Sequence, residues 1–165
     1  MIALSTIFKY LSLIGSFAVV GTLLAMGFLL LDSHGKLSTS AKKLRTMLWI
    51  SGLTWTIGSI GVILFTLATI LDQPLSVALD STVLRSFITQ ITLGQYLLFQ
   101  TLVALFITFA SIRVNKILTV IALLILTLFG LVAPVFQSHP ASGGSHALAI
   151  GSLVIHVVAL SLWVG

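Results

Sequence analysis

The sequence predicts an all-α fold, a polytopic membrane helix bundle with five transmembrane helices and the N-terminus outside. The first observation is composition: 58% of the 165 residues are hydrophobic and only 7% are charged. The second is that the apolar residues form long runs almost free of charge, as membrane spans do. The third is that no run alternates with the two-residue period of a barrel strand. Because backbone groups in lipid must bond within their own segment, these runs predict helices, and residues 1–165 are expected to form a single transmembrane domain.

Five runs are long enough to cross a hydrocarbon core of about 30 Å, which takes about 20 helical residues. The predicted spans are 8–31, 47–71, 92–112, 117–137 and 147–165. The first is interpreted as a retained span, because the apolar stretch after Lys9 is too long for a signal peptide and no small-residue cleavage site follows. The last run stops at Gly165 without a flanking charge, so we expect the chain to be an N-terminal fragment of a longer protein.

The charges between the runs predict the orientation in the membrane. The first and third loops are basic, the second holds two acids and one base, and the fourth holds no fixed charge. These charged residues are Asp32, Lys36, Lys42, Lys43 and Arg45 in the first loop, Asp72, Asp80 and Arg85 in the second, and Arg113 and Lys116 in the third. Because basic loops remain in the cytoplasm, the first and third loops are predicted inside. The protein is expected to be a multi-pass protein of the cell (plasma) membrane.

The second loop contains a predicted amphipathic segment over residues 75–91. Its apolar residues recur at helical spacing with polar residues between them, which is typical of a helix lying in the membrane interface. Asp72, two residues before Pro74, is a helix start signal. A solvated loop helix explains the same pattern, so both interpretations remain open.

Composition and motifs exclude several classes of function. The chain contains no Cys, which excludes disulfides and thiolate metal sites. It also contains no Glu, and its sequence holds no nucleophile elbow, phosphate-binding loop or His-Glu-x-x-His motif. We therefore expect no enzymatic activity. The few basic residues mostly flank the apolar runs, so they indicate topology rather than a nucleic-acid partner.

The candidate chemistry lies in the last quarter of the chain, where three of the four histidines occur. His139 and His146 belong to a charge-free loop that can fold back on itself, so their imidazoles could share one ion. His156 lies about 15 Å further along a straight helix, near mid-membrane, where an ionisable side chain is a functional candidate by default. This arrangement suggests a capture pair and a deeper imidazole. Ordinary loop histidines, with His156 bonded to a neighbouring backbone, fit the spacing equally well.

These residues resemble the copper resistance protein D (CopD) family, whose members carry two loop histidines and then a span with His followed by Trp-x-Gly-Gly. The similar segments are His139-Pro-Ala, Ser-His146-Ala-Leu-Ala and Ile-His156-Val-Val-Ala-Leu-Ser-Leu-Trp163-Val-Gly165. The upstream layout is similar to the actinobacterial type, which is often fused to a cytochrome c oxidase assembly domain. Its matching elements are Leu37-Ser38 before a basic stretch and Thr89-Gln90-Ile-Thr-Leu-Gly94. The family's loop glycine is Ser138 here.

The resemblance implies an integral membrane protein that handles copper, with a copper ion bound by His139, His146 and His156. It implies copper import or delivery across the cytoplasmic membrane. The implied partners, besides the lipid bilayer, are an extracytoplasmic copper chaperone or a cytochrome oxidase. Two alternatives stay open. One is a haem-binding b-type membrane cytochrome, which needs two imidazoles at matching depth on facing helices. The other is an oxidase-assembly scaffold that binds no metal.

Overall fold

The computed structural model describes residues 2–29, 37–137 and 146–165. Within these ranges the chain is helical throughout, apart from short turns and one isolated backbone bridge, and the predicted all-α fold is confirmed. The helices are α1 (Ile2–Leu24, continued by a π-helical turn Ala25–Leu29), α2 (Thr39–Lys43), α3 (Arg45–Leu71), α4 (Leu75–Ala78), α5 (Ser81–Gln90), α6 (Thr92–Ser111), α7 (Ile117–Val132, continued by a 3₁₀ helix Ala133–Gln137) and α8 (His146–Val164).

Four helical segments in the described part of the chain are long and apolar enough to cross a membrane, where the sequence predicted five spans. They are Ala3–Phe28, Thr39–Leu71, Thr92–Ser111 and Ile117–Phe136. The remaining apolar segment, Leu148–Val164 of α8, is shorter than the about 20 residues that a straight span requires. The helical bundle is therefore supported, and length and composition support four of its predicted spans.

The most extensive helix contact in the described part of the chain joins α1 and α3, which run antiparallel. Glycines let the two backbones touch: a Cβ placed on Gly58 would lie 2.3 Å from the backbone nitrogen of Ser12. One on Gly15 would lie 2.5 Å from the backbone nitrogen of Trp55. The hydroxyls of Ser12 and Ser59 are hydrogen-bonded at 3.2 Å across this contact. Small residues permit such close approach, and interhelical hydrogen bonds add to it in membrane bundles.

The centre of the bundle is an apolar cluster contributed mainly by four helices. Its main members are Val19, Val20, Leu23 and Met26 of α1, Leu48 and Trp55 of α3, Val103, Ala104 and Ile107 of α6, and Val120, Leu123 and Leu124 of α7. Trp55 is the largest of these side chains and is fully buried. Gly130 of α7 leaves room for the indole, because a Cβ there would lie only 3.3 Å from the ring. The central packing therefore depends on one large side chain and the glycines around it.

One end of the bundle, which we call the basic end, brings the α1–α2 and α6–α7 connections together. The backbone N–H of Leu37 donates to the carbonyl of Asn115 at 3.2 Å. The guanidinium of Arg45 donates to the side-chain oxygen of Asn115. Leu37 and Val114 are buried beneath this contact. The two connections predicted to lie on one side of the membrane are thus in contact.

The opposite end, which we call the acidic end, carries α4 and α5. The carboxylate of Asp80 accepts hydrogen bonds from the backbone N–H groups of Thr82 at 2.8 Å and Val83 at 3.2 Å, and this cap begins α5. Phe87 of α5 is buried against α3 and α6. A Cβ on Gly94 would lie 2.1 Å from the carbonyl oxygen of Phe87. The segment 75–91 is thus two short helices whose apolar face is covered by the bundle.

Candidate functional site

Helix α8, which carries two of the candidate histidines, lies at the edge of the bundle. It contacts α1, α7 and the 3₁₀ helix that follows α7. Its docking point is near its last residues: Ser161 is fully buried, and a Cβ on Gly21 of α1 would lie 2.0 Å from the carbonyl oxygen of Gly165. Gly21 of α1 therefore packs against the end of α8.

The side chain of His156 is exposed and faces away from the other helices. At 100° per residue, Val154 and Val158 lie on the side of α8 that faces the bundle, and His156 lies nearly opposite them. Ser152 and Trp163 share the outward side with His156, and all three are exposed. The imidazole makes no hydrogen bond to any residue within the described ranges. Among the residues that the structure describes, no second ligand therefore lies beside His156.

The other two predicted ligands fall largely outside the described residues. His139 belongs to segment 138–145, as does the loop that was expected to fold back. His146 is the first residue of α8, and only its backbone is described. Because α8 is continuous from His146 past His156, the two positions are separated by about 15 Å along the helix. They cannot bind one ion together. No group of three possible metal ligands occurs among the residues that the structure describes.

A large groove lies on the other side of α8 from His156. It has a volume of about 740 Å³ and runs between α6, α7 and α8, with Val154 and Val158 forming the α8 wall. The polar residues at its edge are Thr92, Gln95 and Tyr96. The amide of Gln95 is already engaged, donating to the backbone oxygen of Thr89 at 2.8 Å. The groove is therefore apolar and does not include the imidazole.

Sequence reasoning did not single out the buried hydroxyl groups that cross the bundle. Thr56 of α3 and Thr108 of α6 approach to 3.4 Å. Each also donates to a carbonyl of its own helix, at 2.8 Å in both cases. Each hydroxyl thus uses its single proton within its own helix, so the two threonines are in contact across α3 and α6 but neither has a free donor. The thioether of Met26 is fully buried in the central apolar cluster, whereas His156 is exposed.

Comparison with known proteins bears on the upstream part of the chain. Residues 1–148 match the family model of the copper resistance protein D-like N-terminal domain. No curated protein matches. No solved structure matches. The family model ends two residues after His146, so it includes His139 and His146 and ends before His156. The match over residues 1–148 confirms the family resemblance that the sequence suggested. The chain belongs to the copper resistance protein D-like family.

Proposed function

We propose that this chain handles copper in the cytoplasmic membrane, importing the ion or delivering it to a cuproenzyme, without enzymatic activity. The observation that supports this proposal is family membership, which extends over residues 1–148. The long apolar helices agree with a multi-pass membrane protein. In this proposal the loop between α7 and α8 faces the extracytoplasmic side, and a copper chaperone or cytochrome oxidase is the partner there.

The proposed roles follow the positions of the histidines along the chain. His139 and His146 capture the ion at the acidic end, and His156 receives it deeper in the membrane. Imidazole binds copper well. The outward direction of His156 supports a relay role, because its nitrogen atoms are free of hydrogen bonds to the described part of the chain and open to an ion. An exposed imidazole at membrane depth is costly unless it serves such a purpose.

The test measures copper and haem on one sample. The protein is purified in neutral detergent after expression with added copper, its metal content is measured by elemental analysis, and its Soret absorption is recorded. His156→Ala is compared with wild type and with the matched control His34→Ala, which removes the one histidine outside the last quarter of the sequence. We expect bound copper in wild type and in His34→Ala, less copper in His156→Ala, and no Soret band.

The other outcomes contradict the proposal in distinguishable ways. A Soret band that disappears in His156→Ala would identify a b-type cytochrome. Wild-type protein with neither copper nor haem would favour the assembly scaffold. Equal loss of copper in His34→Ala and His156→Ala would show that the histidines do not have the separate roles proposed here.

A further inference from the structure

A pocket with one basic residue in a mostly apolar lining lies at the basic end, between the beginning of α3 and the end of α6. Its volume is about 480 Å³, and its lining residues are Arg45, Thr46, Trp49, Ser111 and Ile112. Copper handling as proposed above does not involve this pocket, because the histidines described lie on α8 and this pocket has no contribution from α8. The pocket is therefore a candidate binding site that is separate from the proposed copper path.

Arg45 supplies the charge of the pocket and is only partly used within the protein. One of its terminal nitrogens donates to Asn115. Its Nε is buried and has no hydrogen-bond partner within the described ranges. A guanidinium carries five N–H donors in a planar fork that fits phosphate oxygens. Ser111 is fully buried and donates to the carbonyl of Thr108 at 2.7 Å. The remaining donors that line the pocket therefore belong to the terminal nitrogens of Arg45 and to the exposed Thr46.

The surroundings of the pocket favour an anion. Four further cations are exposed at the basic end: Lys42, Lys43, Arg113 and Lys116. Two acidic residues, Asp72 and Asp80, fall in the described part of the chain, and both lie at the acidic end. Asp32 and Lys36, of opposite charge, lie in the segment 30–36 outside it. A ligand in this pocket thus faces an excess of positive charge.

The pocket also has an apolar side. Trp49 lies one helical turn below Arg45 and is 39% exposed, and Ile112 is 60% exposed. Tryptophan is enriched at the level of lipid headgroups, where its ring meets both acyl chains and polar groups. A soluble anion would gain nothing from these two side chains. A lipid gains from both sides of the pocket, since its phosphate lies at Arg45 and its acyl chains run along the apolar surface.

We propose that this pocket binds the phosphate of an anionic phospholipid, with Arg45 as the main ligand, Thr46 as a second donor and Trp49 against the glycerol and upper acyl chain. Basic pockets between transmembrane helices bind anionic headgroups in this way. The simpler alternative is that the cations at this end only set the orientation of the protein in the membrane. In that case, replacing any one of them has the same effect on lipid binding. The proposal requires instead that replacing Arg45 has a larger effect than replacing the others.

The test counts bound lipid on the full chain by native mass spectrometry in neutral detergent. Phosphatidylglycerol and phosphatidylcholine with identical acyl chains are added in equal amounts. Detergent removes the membrane surface potential, which would attract any cation. We expect wild type to retain phosphatidylglycerol preferentially, and Arg45→Gln to lower that affinity about tenfold, as the loss of a charge-assisted hydrogen bond predicts. The matched control Arg113→Gln removes a guanidinium at the same end outside the pocket, and should change the affinity by less than about twofold.

A second variant separates lipid binding from folding. Asn115→Ala breaks the same internal hydrogen bond as Arg45→Gln but leaves the guanidinium free. A lipid site therefore predicts opposite effects, with affinity kept or raised in Asn115→Ala and lost in Arg45→Gln. A purely structural role for Arg45 predicts that both variants behave alike. Equal losses in both, or equal losses in Arg45→Gln and Arg113→Gln, would overturn the proposal. Displacement of the lipid by millimolar glycerol 3-phosphate would show a site for soluble phosphate instead.

Discussion

At the scale of single residues, the fold depends on glycines as much as on large apolar side chains, because glycine has no side chain to separate two helices. Gly15 and Gly58 let the backbones of α1 and α3 touch, and Gly130 makes room for the indole of Trp55. Small residues generally mark the faces on which membrane helices pack. The sequence could not predict which glycine meets which helix, because every span of the chain contains small residues and the pairing depends on the three-dimensional arrangement.

The first prediction concerns Gly58. Its replacement by Ala should destabilise the protein by about 1–3 kcal/mol, because the added methyl would collide with the backbone of Ser12. Thermal unfolding in detergent, followed by circular dichroism, measures the change. Gly151→Ala is the matched control, because a Cβ at Gly151 meets nothing within 4 Å. A control as destabilising as Gly58→Ala would show that the effect does not come from the α1–α3 contact.

The second prediction concerns the cap of α5. Removing the carboxylate in Asp80→Ala should cost about 1 kcal/mol locally, because the N–H groups of Thr82 and Val83 lose their acceptor. Hydrogen exchange at those two amides should accelerate by about fivefold. Asp80→Asn keeps an acceptor at the same position and should stay close to wild type. Unchanged protection in Asp80→Ala would mean that these amides are satisfied in another way.

At the scale of the helices, hydropathy predicted most of the fold and little of the packing. The runs around 47–71, 92–112 and 117–137 coincide with long helices, because length and apolarity alone determine what can cross a membrane. Helix α8 was different. It is apolar on all sides, so no amphipathic pattern indicates which face is buried. The sequence therefore placed His156 along α8 but could not predict that it faces outward.

The contact between Arg45 and Asn115 shows a second limit of the sequence. Arg45 was interpreted as one of several charges that set topology, and it is also hydrogen-bonded to a residue in another connection. Nothing near Arg45 in the chain indicates this partner, because the two connections meet only after α3 and α6 have packed together. Charge counting predicts the side of the membrane, whereas a binding pocket depends on which charges converge.

The third prediction concerns the attachment of α5 to the bundle. Phe87 is 1% exposed, and burial of an aromatic ring of this kind contributes about 3–5 kcal/mol. Phe87→Ala should therefore release α5 while α3 and α6 remain folded, because the cluster beneath it is separate from the central one. Limited proteolysis should cut within residues 79–91. Leu79→Ala, at a position that is 58% exposed, is the control and should resist cleavage like wild type.

At the scale of the whole molecule, the two ends differ in charge and in what they offer. The basic end joins two connections through Asn115, and the acidic end holds α4, α5 and the start of α8. The orientation predicted from loop charge places the basic end in the cytoplasm. It also determines from which side the loop histidines would meet copper, so the direction of the whole proposed path depends on it.

The fourth prediction tests this orientation. The chain has no cysteine, so single cysteines can be introduced without removing others. Ser142→Cys, between α7 and α8, should react with a membrane-impermeant maleimide applied to intact cells. Ser40→Cys, exposed on α2 at the basic end, should react only after the cells are opened. The reverse pattern would invert the orientation, and reaction at both positions in intact cells would contradict a bundle with these two ends on opposite sides.

The burial of Trp55 has a consequence for spectroscopy. The chain contains three tryptophans, and their exposed fractions are 0% for Trp55, 39% for Trp49 and 89% for Trp163. Brominated lipid quenches indole fluorescence on contact, so it should extinguish the emission of Trp163 and Trp49 and spare that of Trp55. The residual emission in such a membrane would then come from the centre of the bundle. The protein thus carries its own reporter of whether the core is intact, without any attached dye.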